Sequence, residues 1–125
     1  MRSRQINRGD VFLCDLGESQ GSIQGGTRPV VVVQNNQGNL HSSTCIVVPV
    51  TSKDKPKLRT HLYITLDVES TVLCEQLLTI MSAQLKNRIY RLTEAETQEL
   101  DNALMVSLGI ERDNEKDYPH RTEQT

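Results

Sequence analysis

Four consecutive valines, residues 30–33, give the strongest structural signal in this sequence. β-branched side chains lose rotamer freedom in a helix and pack well on a pleated sheet, so the run predicts a strand. The run is continuously apolar, which is typical of a strand buried on both faces. Similar short runs follow one another closely along the chain, at residues 11–16, 30–34, 45–50, 61–66, 72–73 and 77–80. Short strands at this spacing favour a small β-barrel.

A helix is predicted to begin after Thr93. The Thr93 oxygen can accept a hydrogen bond from the backbone of Glu96, whose carboxylate can reach back to the cap, which is a capping box. Residues on one helical face then follow, and Gly109 supplies a stop; the face consists of Leu100, Ala103, Leu104, Ser107 and Leu108. The fold class predicted is therefore mainly β with α (α+β). Residues 36–39 are predicted to form a polar turn, and residues 82–91 a short helix followed by a turn.

The length of 125 residues fits one domain that buries about two thirds of its unfolded surface. We expect that domain at residues 1–110, followed by a disordered tail at residues 111–125, which are charged and polar. No apolar stretch approaches the roughly 18 residues of a membrane span, and no signal-peptide core follows the first residues. We therefore expect a cytoplasmic protein that does not interact with membranes.

The three cysteines, Cys14, Cys45 and Cys74, are odd in number, form no CxxC pair and lie inside apolar runs. Cysteine in such surroundings behaves as a small hydrophobic residue, so we expect three reduced core thiols. No cluster of His, Cys, Asp or Glu has metal-ligand spacing. The sequence therefore predicts no metal site and no cofactor.

The net charge of −2 argues against a general polyanion binder, but the charge is unevenly distributed. Residues 1–61 carry eight Lys and Arg against four Asp and Glu, whereas residues 62–125 carry six against twelve. We therefore expect attraction to a phosphate backbone to be confined to one face. The aromatic residues are only Phe12, Tyr63, Tyr90 and Tyr118, which limits base stacking as a binding device.

Arg28 stands between a glycine loop, residues 21–26, and the valine run. Gly25 and Gly26 permit positive φ and close approach of the main chain to a ligand, while Pro29 biases Arg28 toward an extended conformation. The guanidinium is permanently charged, and its donor fork matches phosphate oxygens. The same pattern also fits a hairpin loop whose arginine forms a surface salt bridge.

Thr51 and Ser52 end the third predicted strand, just before a basic loop, residues 53–59. If the second and third strands pair, Thr51 and Arg28 come to one rim of the barrel. The chain has no GxGxxG, P-loop or GxSxG motif. An arginine, hydroxyls, amides and a basic loop can attack a phosphodiester only if the substrate supplies the nucleophile. RNA does so through its 2′-OH.

Five segments in order resemble the MazF/PemK toxins of bacterial toxin–antitoxin systems, and the resemblance extends over about residues 7–110. The segments are RGDV from Arg8, GSxQGGxRPVVVVQN from Gly21, PVTS from Pro49, KPKLRTH from Lys55 and EQLLTI from Glu75. The resemblance implies an SH3-like β-barrel with a C-terminal helix, a homodimer, and neutralisation by a MazE-like antitoxin. It also implies metal-independent, sequence-specific cleavage of single-stranded RNA, with a 2′,3′-cyclic phosphate (or the 3′-phosphate from it) and a 5′-hydroxyl as products.

The family pattern implies that Arg28 and Thr51 are catalytic. Arg28 would stabilise charge on the phosphorane oxygens, and Thr51 would hold a nonbridging oxygen or position the 2′-OH. The residues do not single out the group that removes the 2′ proton; His61 is one candidate, although local hydrogen bonding is the role we expect for it. The RNA-contacting positions of the family fall on Ser22, Gln24, Ser52, Lys57 and Gln76.

Two positions depart from the family pattern. Ile23 replaces an acidic residue common before the loop glutamine, and Leu78 replaces a basic residue common after Gln76. Neither change touches Arg28 or Thr51. Two alternatives stay open: a CcdB-like toxin that traps DNA gyrase through the end of the helix, and an inactive relative that binds RNA without cutting it.

Overall fold

The computed structural model describes residues 5–110. Its elements run in the order β1 (Asp10–Asp15), β2 (Thr27–Val32), α1 (Asn36–His41), β3 (Thr44–Thr51), β4 (His61–Thr65), β5 (Glu69–Leu73), β6 (Leu78–Met81), a 3-10 turn (Ser82–Gln84), β7 (Leu85–Arg91) and α2 (Glu94–Leu108). The tail predicted at residues 111–125 lies outside the described residues. No helix between residues 5 and 110 has the length and apolar character needed to cross a membrane.

The strands form one curled antiparallel sheet. Its order is β4-β5-β3-β2-β1-β7, and β6 pairs with the first half of β3. β3 is the central element, because β2, β5 and β6 all pair with it. The predicted mainly β architecture with a C-terminal helix is confirmed.

The central strands are buried on both faces, as the valine run predicts. Alternate residues enter two separate core clusters, so that Val31 belongs to the first cluster while Val30 and Val32 belong to the second. Helix α2 covers the first cluster with Leu100, Ala103 and Leu104. All three cysteines are buried free thiols, which confirms the expectation of reduced core residues.

Helix α2 begins and ends as predicted. Thr93 is its N-cap, and the capping box with Glu96 is present. Gly109 ends the helix in the left-handed conformation with φ 70°, which glycine adopts without a steric penalty. One part of the predicted buried face is wrong: Leu108 is exposed, since the helix projects past the core at its last turn.

Two local predictions are wrong. Residues 36–39 belong to α1, which Asn35 caps by accepting a hydrogen bond from the backbone of Gly38. For residues 82–91 the prediction is wrong in part: the short helix is present as the 3-10 turn Ser82–Gln84, but residues 85–91 form β7 and not a turn. Only Leu85 of β7 is fully buried, so the segment does not show the alternation of buried apolar and exposed polar residues that predicts a strand. It is a strand because it pairs with β1, in a ladder interrupted by two register shifts.

Candidate active site

Arg28 is fixed at the end of two paired strands. β2 begins at Thr27, so Arg28 lies within the strand. The sequence had predicted Arg28 at the end of the loop, just before the strand. Its Nε donates to the carbonyl oxygen of Gly25 at 2.8 Å, and its Nη1 donates to that of Val50 at 3.4 Å. The guanidinium is half-buried and spans from the glycine loop to β3.

Thr51 is the last residue of β3. The predicted pairing of β2 and β3 is observed, with Val30 opposite Pro49. Because the two strands are antiparallel, the start of β2 and the end of β3 meet, and Nη1 of Arg28 contacts the carbonyl oxygen of Val50, the residue before Thr51. Thr51 is only 2% exposed, and its Oγ1 accepts a hydrogen bond from the backbone of Lys53 at 3.2 Å. The Thr51 hydroxyl is therefore held against the turn at Lys53.

The glycine loop packs closely on the chain that precedes it. A Cβ atom on Gly25 would clash with the main chain of Glu18 and Ser19, and Gly26 has a φ of 76°. Both glycines are therefore required by the loop geometry. Ile23, the position that departs from the family pattern, is exposed at the tip of the loop and exchanges backbone hydrogen bonds with Gln20.

Gln76 holds the glycine loop through main-chain atoms. Its Oε1 accepts a hydrogen bond from the backbone of Gln24 at 3.0 Å, and its Nε2 donates to the carbonyl oxygen of Ser22 at 2.9 Å. Three residues predicted to contact RNA therefore lie together. Both polar ends of the Gln76 amide are engaged in shaping the loop.

Glu75 holds the other loop of the site. One carboxylate oxygen accepts a hydrogen bond from the hydroxyl of Thr60 at 3.1 Å, and the other lies 3.2 Å from Nε2 of His61. The Nδ1 atom of His61 lies 3.0 Å from the carbonyl oxygen of Pro56. His61 is therefore buried and bonded on both sides, as expected of a residue that satisfies local hydrogen bonds. Sequence reasoning missed Glu75, since no spacing rule links it to Thr60.

A groove of about 330 Å³ adjoins Thr51 on the outer face of β4 and β5. It contains Ser52 and Lys57, which were predicted to contact RNA, together with Lys53 and Lys55; both Ser52 and Lys57 are exposed. Its other lining residues are Asp54, Tyr63, Ile64, Thr65, Glu69, Ser70 and Thr71. The groove thus presents lysines and hydroxyls next to the Arg28 and Thr51 rim.

The chemistry available at this rim is electrostatic. Arg28 supplies a fixed cation, and the Thr51 hydroxyl can accept from Lys53 while donating its own proton. Within residues 5–110, no group of three or more His, Cys, Asp or Glu side chains is placed to hold a metal ion. A cation and a hydroxyl of this kind can bind a phosphate and stabilise added negative charge on it.

Several solved structures are similar to this chain. An endoribonuclease from a mycobacterial species, solved in complex with its cognate antitoxin, has 24% identity and a TM-score of 0.74, covering 86% of this chain and 98% of that one. MazF from Deinococcus radiodurans has 21% identity and a TM-score of 0.73, covering 86% and 100%. A MazE–MazF complex from the same organism has 18% identity and a TM-score of 0.69, covering 87% and 100%. These likenesses support the small curled β-sheet with its C-terminal helix as a common fold.

The family comparison covers most of the sequence. A family model described as the PemK-like, MazF-like toxin of type II toxin-antitoxin systems matches residues 7–108. The match begins before β1 and ends at the last residue of α2, so it includes both loops of the site. This chain therefore belongs to the family of PemK-like, MazF-like toxins of type II toxin-antitoxin systems.

Proposed function

We propose that this toxin is an endoribonuclease that cleaves single-stranded RNA without a metal ion, in a sequence-specific manner. The observation that carries the proposal is the contact of Arg28 with the end of β3, where its Nη1 donates at 3.4 Å to the carbonyl oxygen of Val50, the residue before Thr51. The solved relatives named as endoribonucleases give independent support.

In the proposed reaction, the 2′-oxygen of one ribose attacks the adjacent phosphorus. The 2′-O–P bond forms, the P–O5′ bond breaks, and the 2′ proton is lost while the leaving 5′-oxygen gains a proton. The products are a 2′,3′-cyclic phosphate, which can open to the 3′-phosphate, and a 5′-hydroxyl. Arg28 stabilises the negative charge that gathers on the phosphorane oxygens, and Thr51 holds a nonbridging oxygen or positions the 2′-OH.

The remaining predicted RNA contacts are assigned to the two loops. Ser22 and Gln24 contact the RNA from the glycine loop, and Gln76 holds that loop through hydrogen bonds to its main chain. Ser52 and Lys57 contact the RNA along the groove. A lysine beside a hydroxyl suits a phosphate backbone, whereas amide groups suit base edges. Ile23 offers neither group, so its position contributes only apolar contact.

We further propose that an antitoxin neutralises the protein by occupying this rim. Relatives solved in complex with their antitoxins support a partner of this kind.

We also propose a homodimer. Exposed apolar side chains on neighbouring strands, Ile46 on β3 and Met81 on β6, support it, and light scattering of the purified protein would test it. A toxin that cuts cellular RNA acts in the cytoplasm, where its substrate is found.

The test is to incubate a long unstructured RNA with the purified protein in EDTA and to sequence the 5′-hydroxyl ends. We expect cuts at one short motif. Arg28→Ala should lower the rate by about 10²-fold or more, as loss of a transition-state donor does. Arg88→Ala is the charge-matched control and should cut normally, because Asp10, the carboxylate that Arg88 approaches at 3.7 Å, keeps its closer ion pair with Arg91 at 2.8 Å. Intact RNA after incubation with the wild type would reject the nuclease and favour gyrase trapping or simple RNA binding.

A further inference from the structure

The exposed ring of Tyr63 belongs to neither core cluster, so core packing does not explain its position. Of the phenylalanine and tyrosine side chains within residues 5–110, Phe12 is buried in the second core cluster, and the hydroxyl of Tyr90 donates to Glu96. Tyr63 is 44% exposed and lines the basic groove. Among the phenylalanine and tyrosine side chains of residues 5–110, it alone presents an exposed ring.

Strand register aligns Tyr63 with the proposed catalytic rim. Tyr63 is opposite Thr71 on β5, and Thr71 is opposite Thr51 on β3. Directly opposed residues project to the same face, so these three side chains form one row across three strands. Neighbouring strands lie about 4.8 Å apart, which puts Tyr63 roughly 10 Å from Thr51 along the groove floor.

The ring of Tyr63 is also held in place. His61 meets it edge to face, with ring centroids 6.3 Å apart and an interplanar angle of 83°. His61 is itself fixed by the Pro56 carbonyl and the Glu75 carboxylate. The ring is therefore oriented before a ligand arrives, which reduces the entropy lost on binding.

The charges around the ring suit a nucleotide. The Lys57 ammonium lies 6.0 Å from the ring centroid, at the outer limit of a cation–π contact, so this contact is weak. Lys53 and Lys55 line the same groove, with Asp54 and Glu69 as the acidic members. A base on the ring would leave the Lys57 ammonium near the phosphate of the same nucleotide.

We propose that Tyr63 is a stacking platform for an unpaired RNA base close to the scissile phosphate. The inference rests on the proposed nuclease function. Stacking on an aromatic ring is tolerant of base identity, so Tyr63 adds affinity and fixes the path of the strand while other groups select the sequence. The RNA strand would then run along the row of side chains from Thr51 through Thr71 to Tyr63.

The test uses a short RNA that carries the cut site mapped with the wild type, and copies in which one base at a time is replaced by an abasic ribose. We expect Tyr63→Ala to lower kcat/KM on the intact RNA by roughly 5- to 150-fold, the range that corresponds to one stacked base. Tyr63→Phe, which keeps the ring, should restore cleavage. Ile89→Ala, an exposed apolar side chain on β7, is the control and should cut as the wild type does.

The abasic copies identify the stacked nucleotide. For the wild type, one abasic position near the cut should cause a similar loss, and Tyr63→Ala should show no further loss there. A second measurement uses the absence of tryptophan from the chain. Tyr63→Trp introduces a single tryptophan. An RNA with a 2′-deoxy sugar at the cut nucleotide, which cannot be cleaved, should quench the fluorescence of this tryptophan. The copy of that RNA that is abasic at the stacking position should not quench it.

The two proposals fail in different ways. If the wild type does not cut RNA, the nuclease function fails. If the wild type cuts but Tyr63→Ala has an unchanged kcat/KM and the tryptophan is not quenched, only the stacking platform is rejected. If Tyr63→Ala weakens antitoxin binding and alters no step with RNA, the ring serves the protein partner and the proposal is overturned.

Discussion

Glu75 and Gln76, adjacent in the chain, hold two different loops of the site. The Glu75 carboxylate bonds to Thr60 and His61 at the end of the basic loop, and the Gln76 amide bonds to the main chain of the glycine loop. The short connection between β5 and β6 therefore sets the distance between the two loops. A change in either side chain should alter cleavage through geometry, without removing a group that acts on the phosphate.

The first prediction concerns Gln76→Ala. The change removes two hydrogen bonds, each worth about 1 kcal/mol, so the glycine loop should open more often. We expect the Gln24 amide to exchange with deuterium about tenfold faster and kcat/KM for RNA to fall about tenfold. The matched control is Gln84→Ala, because the Gln84 amide also bridges main-chain groups, those of Met81 and Asp15. Normal Gln24 exchange in Gln76→Ala would contradict the proposed restraint.

The second prediction separates positioning by His61 from proton transfer. His61→Asn retains hydrogen-bonding capacity but cannot act as an acid or base. Loss of a general acid or base lowers rates by about 10²- to 10⁴-fold, so a fall of tenfold or less identifies a positioning residue. We expect Glu75→Gln to cause a comparable small loss, because both changes loosen the same end of the basic loop. Single-turnover cleavage at saturating protein measures both, and a 10³-fold loss for His61→Asn alone would refute the positioning role.

The third prediction concerns Thr51. Thr51→Val keeps the shape of this buried side chain and removes its hydroxyl, so the free energy of unfolding should fall by only about 1 kcal/mol. Cleavage should fall about 10²-fold if the hydroxyl acts on the phosphate. Thr51→Ser, which keeps the hydroxyl, should retain most of the activity. Equal rates for the serine and valine variants would show that Thr51 serves only the turn at Lys53.

The fourth prediction concerns the buried thiols. Burial raises the pKa of Cys45 to about 11 and that of Cys74 to about 12, from an ordinary value of 9.0. Above pH 9 the unfolded chain loses thiol protons that the folded chain retains, so the free energy of unfolding falls as pH rises toward these values. The slope is at most about 1.4 kcal/mol per pH unit for each thiol.

Urea unfolding between pH 8 and pH 11 measures this slope in the wild type and in Cys74→Ala. We expect a shallower decline in the variant, because one of the protonated thiols is gone, although its stability at pH 8 will be lower from the cavity left behind. Parallel curves would show that other groups cause the decline.

Much of the sheet is predictable from local sequence, because the central parts of β2 and β3 are runs rich in valine that are buried on both faces. The rim follows from their antiparallel pairing, which brings the start of β2, with Arg28, and the end of β3, with Thr51, to the same end of the sheet. β7 could not be predicted, because its side chains are mostly exposed and only the distant β1 makes it a strand.

The function of Gln76 shows a similar limit within the site. Its residue type suggests a contact with RNA, but its amide is engaged with backbone atoms more than fifty positions away in sequence. Local patterns carry no information on such contacts. The row that links Thr51 to Tyr63 depends in the same way on the register of three strands, which only the structure supplies.

The pairing of β1 with β7 has a consequence for how the toxin is made. The first strand finds its outer partner only after residue 91 has been synthesised, so a nascent chain shorter than that leaves one side of β1 as an unpaired edge. Contacts this far apart in sequence form late and slowly. Completion of the sheet around β1, the strand next to the one that carries Arg28, therefore awaits nearly the whole chain.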